Sequence, residues 1–244
     1  MFTEIKNRTW FYEFVLPDGS VTKCDVPPDV LRIHTSRRDH LVNVIKEYVR
    51  DPCDKTALDL ASHEGYYSLE LSKFFERVQG LEIRPESIDA ARMITSALGV
   101  NNVTYSCADL QKMEAEDRYR SDFVLVYGLL YHLENPIHTL RLASDLARKH
   151  ILIETQIFPY DISGRIEDGR YTWQRQVHGV FSLSADYKDG REGGSTDIAL
   201  VPSLNALLYL LTTFGFKTIE VLTPVENDYE QFLRGSRVIV YGEK

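Results

Sequence analysis

The 244-residue chain is long enough for one sizeable α/β domain with decorations and short for two, and its 43 % hydrophobic and 26 % charged content is ordinary for a globular protein. A formal net charge of −8 argues against tight, purely electrostatic binding to a nucleic-acid backbone, though not against a local basic patch. No run approaches the ~20 apolar residues of a membrane helix, the N-terminus lacks the apolar core of a signal peptide, and Cys24, Cys53 and Cys107 have no metal-ligand spacing. These features predict a cytoplasmic protein with reduced, buried thiols.

In chain order, Trp10 to Val15 and Ser20 to Thr22 flank Pro17-Asp18-Gly19 as a short aromatic hairpin, which Pro27-Pro28 ends. Leu41, Val44, Ile45, Tyr48 and Val49 fall on one stripe and predict a helix from Thr35 to Arg50. Strands are then expected at Ala57 to Leu60, Val78 to Ile83, Val103 to Cys107, Phe123 to Tyr127 and His150 to Glu154. Between them lie amphipathic helices, one starting at Pro85 and closed by Gly99, another started by Asn135-Pro136. From Gln156 to Leu200 the periodicity lapses into glycines and aromatics, the composition of a lid or binding insertion. A helix after Pro202-Ser203, a stop at Gly215 and strands Phe216 to Leu222 and Arg237 to Tyr241 complete the pattern.

The fold expected is α/β, a doubly wound Rossmann-like sheet of seven strands in the order 3-2-1-4-5-7-6, with an N-terminal extension and a lid insertion after strand five. One domain spans 1–244, with a hairpin and helix over 1–54, a cofactor-binding half over 55–155, the insertion over 156–200 and a C-terminal helix and strands over 201–244. In such a sheet ligands bind beyond the carboxyl ends of the strands. The acidic and glycine residues of the turns fall there: Asp59 and Gly65 after strand one, Glu82 closing strand two, Asp109 after strand three. A carboxylate closing a buried strand is costly unless something binds it. An ion pair of Glu82 with Arg84 or Arg92 is the alternative.

The turn D-L-A-S-H-E-G, residues 59–65, resembles motif I (D-x-G-x-x-x-G) of class I S-adenosylmethionine-dependent methyltransferases, with Ala61 at the first glycine. An alanine is tolerable there if its φ stays below zero. The segment Y-G-L-L-Y-H-L-E-N-P and the later I-L-I-E-T-Q and V-P-S-L-N-A-L-L-Y-L-L-T-T-F-G-F are similar to the enzyme that completes carboxymethoxy-uridine at tRNA wobble positions and to sugar and small-molecule methyltransferases near it. The resemblance covers about residues 55–244. It implies a cofactor site of Asp59, Ala61, Gly65, Glu82, Ile83, Ala108, Asp109, Tyr127, Gly128 and Leu129, with Glu82 on the ribose and Asp109 on the adenine amino group. Where the tRNA enzyme continues with arginines, this chain has Leu133-Glu134, and no counterpart to its cations for a carboxylated cofactor is found. Plain S-adenosyl-L-methionine is therefore the cofactor expected.

For a hydroxyl acceptor a base assists, and His132 is the first candidate, with His178 and Glu154 as alternatives, a structural role at the end of strand five being the other reading of Glu154. A histidine bonded to backbone that merely orders the loop is an equal reading of His132. Tyr131, Tyr160, Tyr171 and Trp173 are candidate acceptor contacts, or else a satellite core. Arg37-Arg38 face an anionic acceptor or, as the commoner outcome for such pairs, solvent. No metal is expected: His132, Glu134 and His138 are separated by the Asn135-Pro136 helix start. The function expected is methyl transfer to a small-molecule acceptor, a hydroxyl of a sugar, nucleotide sugar or natural product. The alternatives are tRNA wobble-uridine modification and noncatalytic cofactor binding. Nucleic acid is a disfavoured partner, a membrane none, and a homodimer stays open.

Overall fold

The computed structural model of the protein describes residues 2–167, 174–186 and 196–244. Seven strands build the central sheet: β1 (Thr56–Leu60), β2 (Arg77–Glu82), β3 (Val103–Cys107), β4 (Ser121–Tyr127), β5 (Ala147–Gln156), β6 (Thr218–Val221) and β7 (Arg237–Glu243). Their spatial order is β3-β2-β1-β4-β5-β7-β6, the order expected. The first five strands run parallel, and β7 is antiparallel to both β5 and β6. The chain reverses its direction of winding between β1 and β4, so a crevice opens at their carboxyl ends.

Both faces of the sheet are covered. Strand β4 shows why a parallel strand reads as a continuous apolar run: Phe123 and Leu125 point to one face and Val124 and Val126 to the other, all fully buried. The first face packs α2 (Pro28–Tyr48), α3 (Tyr66–Ser72) and α4 (Pro85–Ala97) through Leu41, Ile45, Leu71 and Ile94. The second packs α5 (Pro136–Leu146) and α6 (Leu204–Thr213) through Leu140, Leu207 and Leu211. Local signals close these helices as expected. Asn135 accepts a hydrogen bond from the N–H of His138 at 3.1 Å, and Gly99 ends α4 with φ +68°.

The periphery departs from expectation. A helix, α1 (Phe2–Asn7), precedes the hairpin, whose strands are reduced to one antiparallel bridge between Val15 and Val21. Pro28 does not merely end the hairpin; it is the first residue of α2, where its missing N–H costs nothing. The described part of the insertion is two antiparallel ribbons, Ser163–Glu167 with Gln174–His178 and Phe181–Ala185 with Ile198–Pro202. Cys53 and Cys107 are exposed, not buried, because they sit in a connecting turn and at the end of the edge strand β3. Among the described residues no helix is long and apolar enough to cross a membrane.

Gly80 in β2 has no room for a side chain: an added Cβ would lie 2.6 Å from Tyr105 Cδ1 and 2.7 Å from Ser62 Oγ. Tyr105 cannot yield freely, since it is buried and its hydroxyl is 3.0 Å from Thr95 Oγ1. Gly80→Ala is expected to destabilise the protein by about 1 to 3 kcal/mol, read as a lower urea midpoint at unchanged m-value.

Candidate active site

At the carboxyl ends of β1, β2, β3 and β4 lies a cavity of about 360 Å³. Eight of the ten expected cofactor residues line it: Ala61, Glu82, Ile83, Ala108, Asp109, Tyr127, Gly128 and Leu129. Tyr131 and His132 line it as well. Convergence follows from topology, because residues just past the ends of neighbouring parallel strands face one crevice.

Glu82 is 2 % exposed, and its charge is carried by backbone amides rather than by arginine. Its Oε2 accepts from the N–H of His63 at 2.9 Å, and Oε1 from those of Ile83 at 2.9 Å and Arg84 at 3.0 Å. The Arg84 guanidinium stays 3.9 Å away, and Arg92 instead bonds the Tyr105 carbonyl. A carboxylate offers about four acceptor sites, so Oε2 keeps capacity for a ribose hydroxyl. Asp109 Oδ1 accepts from the Gln111 N–H at 3.0 Å and Oδ2 pairs with exposed Lys112 at 2.8 Å, leaving lone pairs for an exocyclic amine. The donor set therefore fits an adenosyl group.

Asp59 and Gly65 do not line the cavity. Asp59, 2 % exposed, accepts from Ser68 Oγ at 2.6 Å and so ties β1 to α3. Gly65 holds φ +83°, and a Cβ there would collide with the Tyr105 hydroxyl, so packing and backbone conformation exclude a side chain. Ala61 departs from expectation too. Its φ is +59°, in the left-handed region that costs a residue with a Cβ about 1 to 2 kcal/mol. The turn holds it there by bonds from Ser62 N to Leu81 O at 3.0 Å and from Gly65 N to Ser62 O at 2.8 Å.

Of the base candidates, only His132 is at the cavity. Its Nδ1 lies 3.2 Å from both oxygens of Asp186, at the end of the Phe181–Ala185 strand. The same ribbon is fastened to the site by a bond from Leu200 N to Leu133 O at 2.9 Å. His178 is outside the cavity and stacks on Tyr209 at 3.9 Å. Glu154 is fully buried with its Oε2 2.5 Å from Arg37 and its Oε1 2.8 Å from Arg237. Burial raises its pKa, but Arg37 and Arg237 outweigh that and hold it below the usual value, so it is ionised and engaged by both guanidinium groups. Tyr160 is 72 % exposed and outside the cavity; Tyr171 and Trp173 lie outside the described residues.

Three contributors, Phe11, Tyr12 and Arg237, are not recognised from sequence, which reads Arg37 as facing either an anionic acceptor or solvent. Phe11 and Tyr12 wall the cavity, positioned by bonds from their N–H groups to Glu64 Oε2 at 2.8 and 3.4 Å. Arg37 is 6 % exposed at the cavity rather than solvated, and Arg237 backs it from β7. Helical periodicity treats an arginine as surface, so only the tertiary partner Glu154 reveals them. Arg38 is the solvated one, paired with Asp39.

Burial pushes the Asp59 carboxyl up to about 7, opposed by the Ser68 bond and assisted by the charge of Glu82. Its folded-state value thus exceeds the ~3.9 of an unfolded aspartate. The folded protein keeps a proton that the unfolded chain has released, so stability falls as pH rises from about 4 to about 7. Asp59→Asn is expected to lose this slope and to gain on the wild type between pH 5 and pH 8 in urea midpoints. A gap that stays constant over that range shows an ordinary titration.

Residues 57–150 match the family described as methyltransferase domain. The chain is 26 % identical over 193 residues, 78 % of its length, to the tRNA U34 carboxymethyltransferase of Aliarcobacter butzleri (strain RM4018). It is 25 % identical over 150 residues, 61 % of its length, to an uncharacterized RNA methyltransferase of Nostoc sp. (strain PCC 7120 / SAG 25.82 / UTEX 2576). It spans 56 % of the length of the first relative and 33 % of the second. Among solved structures, the N-terminal domain of EvdMO1 with SAH bound aligns with TM-score 0.71 at 20 % identity, over 99 % of this chain and 93 % of that one. Magnesium protoporphyrin IX methyltransferase from Synechocystis PCC 6803 with bound SAM aligns with TM-score 0.59 at 15 % identity, over 88 % and 82 %. The sheet order, the cavity at its switch point and these matches agree: residues 57–150 match a methyltransferase domain, and the chain has the Rossmann-like fold of the methyltransferase structures it aligns with.

Proposed function

We propose that the protein transfers a methyl group from S-adenosylmethionine to a hydroxyl of a small-molecule acceptor, with a sugar, nucleotide sugar or natural product as the class to test first. The observation that carries this reading is the convergence of Glu82, Asp109 and Gly128 on one cavity that also receives Tyr131 and His132. The cofactor supplies an electrophilic methyl carbon. In-line displacement then asks the protein to hold the acceptor oxygen in line with that carbon and to keep water out. Phe11, Tyr12, Leu129 and Leu133 supply apolar walls, and Tyr131 a wall with a polar tip.

His132 is assigned to the acceptor's proton. Asp186 fixes Nδ1 as the protonated nitrogen and leaves the lone pair on Nε2, the arrangement in which an imidazole takes a proton from a hydroxyl. The D-fucose present with SAH in one EvdMO1 crystal is a molecule of the acceptor class named above. A second reading, wobble-uridine modification, is favoured by the likeness to the Aliarcobacter butzleri enzyme and opposed by the net charge of −8. Salt-dependent retention of tRNA by the purified protein would decide for it.

Two substitutions test the assignments. Glu82→Ala should weaken S-adenosylhomocysteine binding by ~1 to 3 kcal/mol in calorimetry through loss of charge-assisted ribose bonds. Unchanged affinity in a folded variant removes Glu82 from the cofactor site. His132→Ala should leave that affinity nearly intact and lower the single-turnover rate with an identified acceptor by about 100- to 10,000-fold. Joint loss of thermal stability and cofactor affinity would instead make His132 a structural residue.

A further inference from the structure

Tyr131 lines the cavity with a hydroxyl whose proton is spare. A phenol has one proton to give and lone pairs that accept. Nη2 of Arg237 donates to the Tyr131 oxygen at 3.2 Å, and a guanidinium can only donate, so this bond occupies a lone pair and leaves the proton for another partner. Among the described residues no oxygen or nitrogen takes it. The arginine is not free to turn away: its Nη1 donates to Glu154 Oε1 at 2.8 Å, its Nε donates to Gln231 Oε1, and its side chain is 7 % exposed. Its Cζ also lies 4.7 Å from the Tyr131 ring centroid, so one cation holds both the ring and its oxygen. A positive donor on the phenol oxygen polarises the O–H and strengthens it as a donor in turn.

Tyr131 and His132 are consecutive in the short turn Leu130–His132, both line the cavity, and their ring centroids lie 4.2 Å apart. A ligand that brings one hydroxyl to His132 therefore brings its neighbouring atoms to Tyr131. The two side chains are not suited to one oxygen, because a hydrogen bond donated to the attacking oxygen draws electron density from it and slows the transfer. The phenol proton is matched to a second oxygen of the acceptor. Gauche hydroxyls on adjacent ring carbons place their oxygens within hydrogen-bond distance of each other, a spacing that two side chains in contact can address. We infer that Tyr131 selects acceptors with a vicinal oxygen, so that the substrate class is a cyclic 1,2-diol: His132 receives the proton of the hydroxyl that is methylated, and Tyr131 donates to the neighbouring oxygen. In the transfer the acceptor oxygen forms its bond to the methyl carbon as the bond from that carbon to sulfur breaks, the electron pair passing to sulfur and the proton to His132, while Tyr131 keeps its own. This rests on the reading of the site as that of a hydroxyl methyltransferase.

NMR titration of the isotope-labelled full chain, saturated with S-adenosylhomocysteine, tests this with three ring probes. They are cis-1,2-cyclohexanediol; 2-hydroxycyclohexanone, whose second oxygen accepts a hydrogen bond and donates none; and cyclohexanol, which lacks the second oxygen. The wild type should bind the diol and the hydroxyketone about 3- to 10-fold more tightly than cyclohexanol. Tyr131→Phe, which removes the phenol proton and keeps the ring, should bind all three alike, with the affinity for S-adenosylhomocysteine unchanged. The inference is overturned if the wild type shows no preference for the second oxygen, if the hydroxyketone lacks the preference that the diol shows, or if Tyr131→Phe retains it. It is overturned equally if the variant loses affinity for S-adenosylhomocysteine instead, which would give the phenol to the cofactor. Should Tyr131→Phe fail to fold, the wild-type series decides alone. Failure of all three probes to bind overturns the inference too, and retention of tRNA by the same sample would then carry the failure to the small-molecule reading itself. Probes that bind without preference leave that reading standing.

Discussion

The buried carboxylate of Glu154 organises the site. It lies near the carboxyl end of β5 and binds Arg37 from α2 and Arg237 from β7, while its Oε2 accepts from the Gly128 N–H at 3.1 Å. Four separate parts of the chain thus meet on one side chain. Removing a carboxylate from water costs several kcal/mol, which only close partners of opposite charge and good hydrogen bonds offset. Glu154 has both. The backbone at Gly128, which holds φ +64° where β4 gives way to the cavity floor, is oriented by that same group.

A second tether works on the opposite wall. The carboxylate of Glu64, inside the turn after β1, accepts from the backbone of Phe11 and Tyr12 and is 3 % exposed. The N-terminal segment has little regular structure of its own, yet its aromatics are packed: Tyr12 stacks on Tyr66 at 4.8 Å, and Phe11 lies 5.1 Å from His63. The turn after β1 that shapes one end of the cavity and the segment that roofs it are therefore mechanically one unit. Strain at Ala61 is sustained by this surrounding packing.

Much of this is legible in the sequence. Glu82, Asp109, Gly128 and His132 are readable because each follows a buried strand at a short spacing, and parallel topology turns that local fact into spatial convergence. What is not legible is tertiary. Asp59 and Gly65 have the composition of a ligand turn, but Ser68 and Tyr105 claim them for packing. Glu154 reads as either a base or a structural carboxylate at a strand end, and its partners Arg37 and Arg237 come from elements distant in sequence. Asp186 carries no signal, since its value lies in where an irregular insertion delivers it.

The place of β7 in the sheet has a temporal meaning. It is inserted antiparallel between β5 and β6, so a strand that follows all five parallel ones in sequence occupies an interior position and brings Arg237 with it. During synthesis the whole parallel half emerges first and can condense around β1 and β4, with Glu154 facing Arg37 alone. The electrostatic closure of the crevice is thus withheld until β7 has emerged as well.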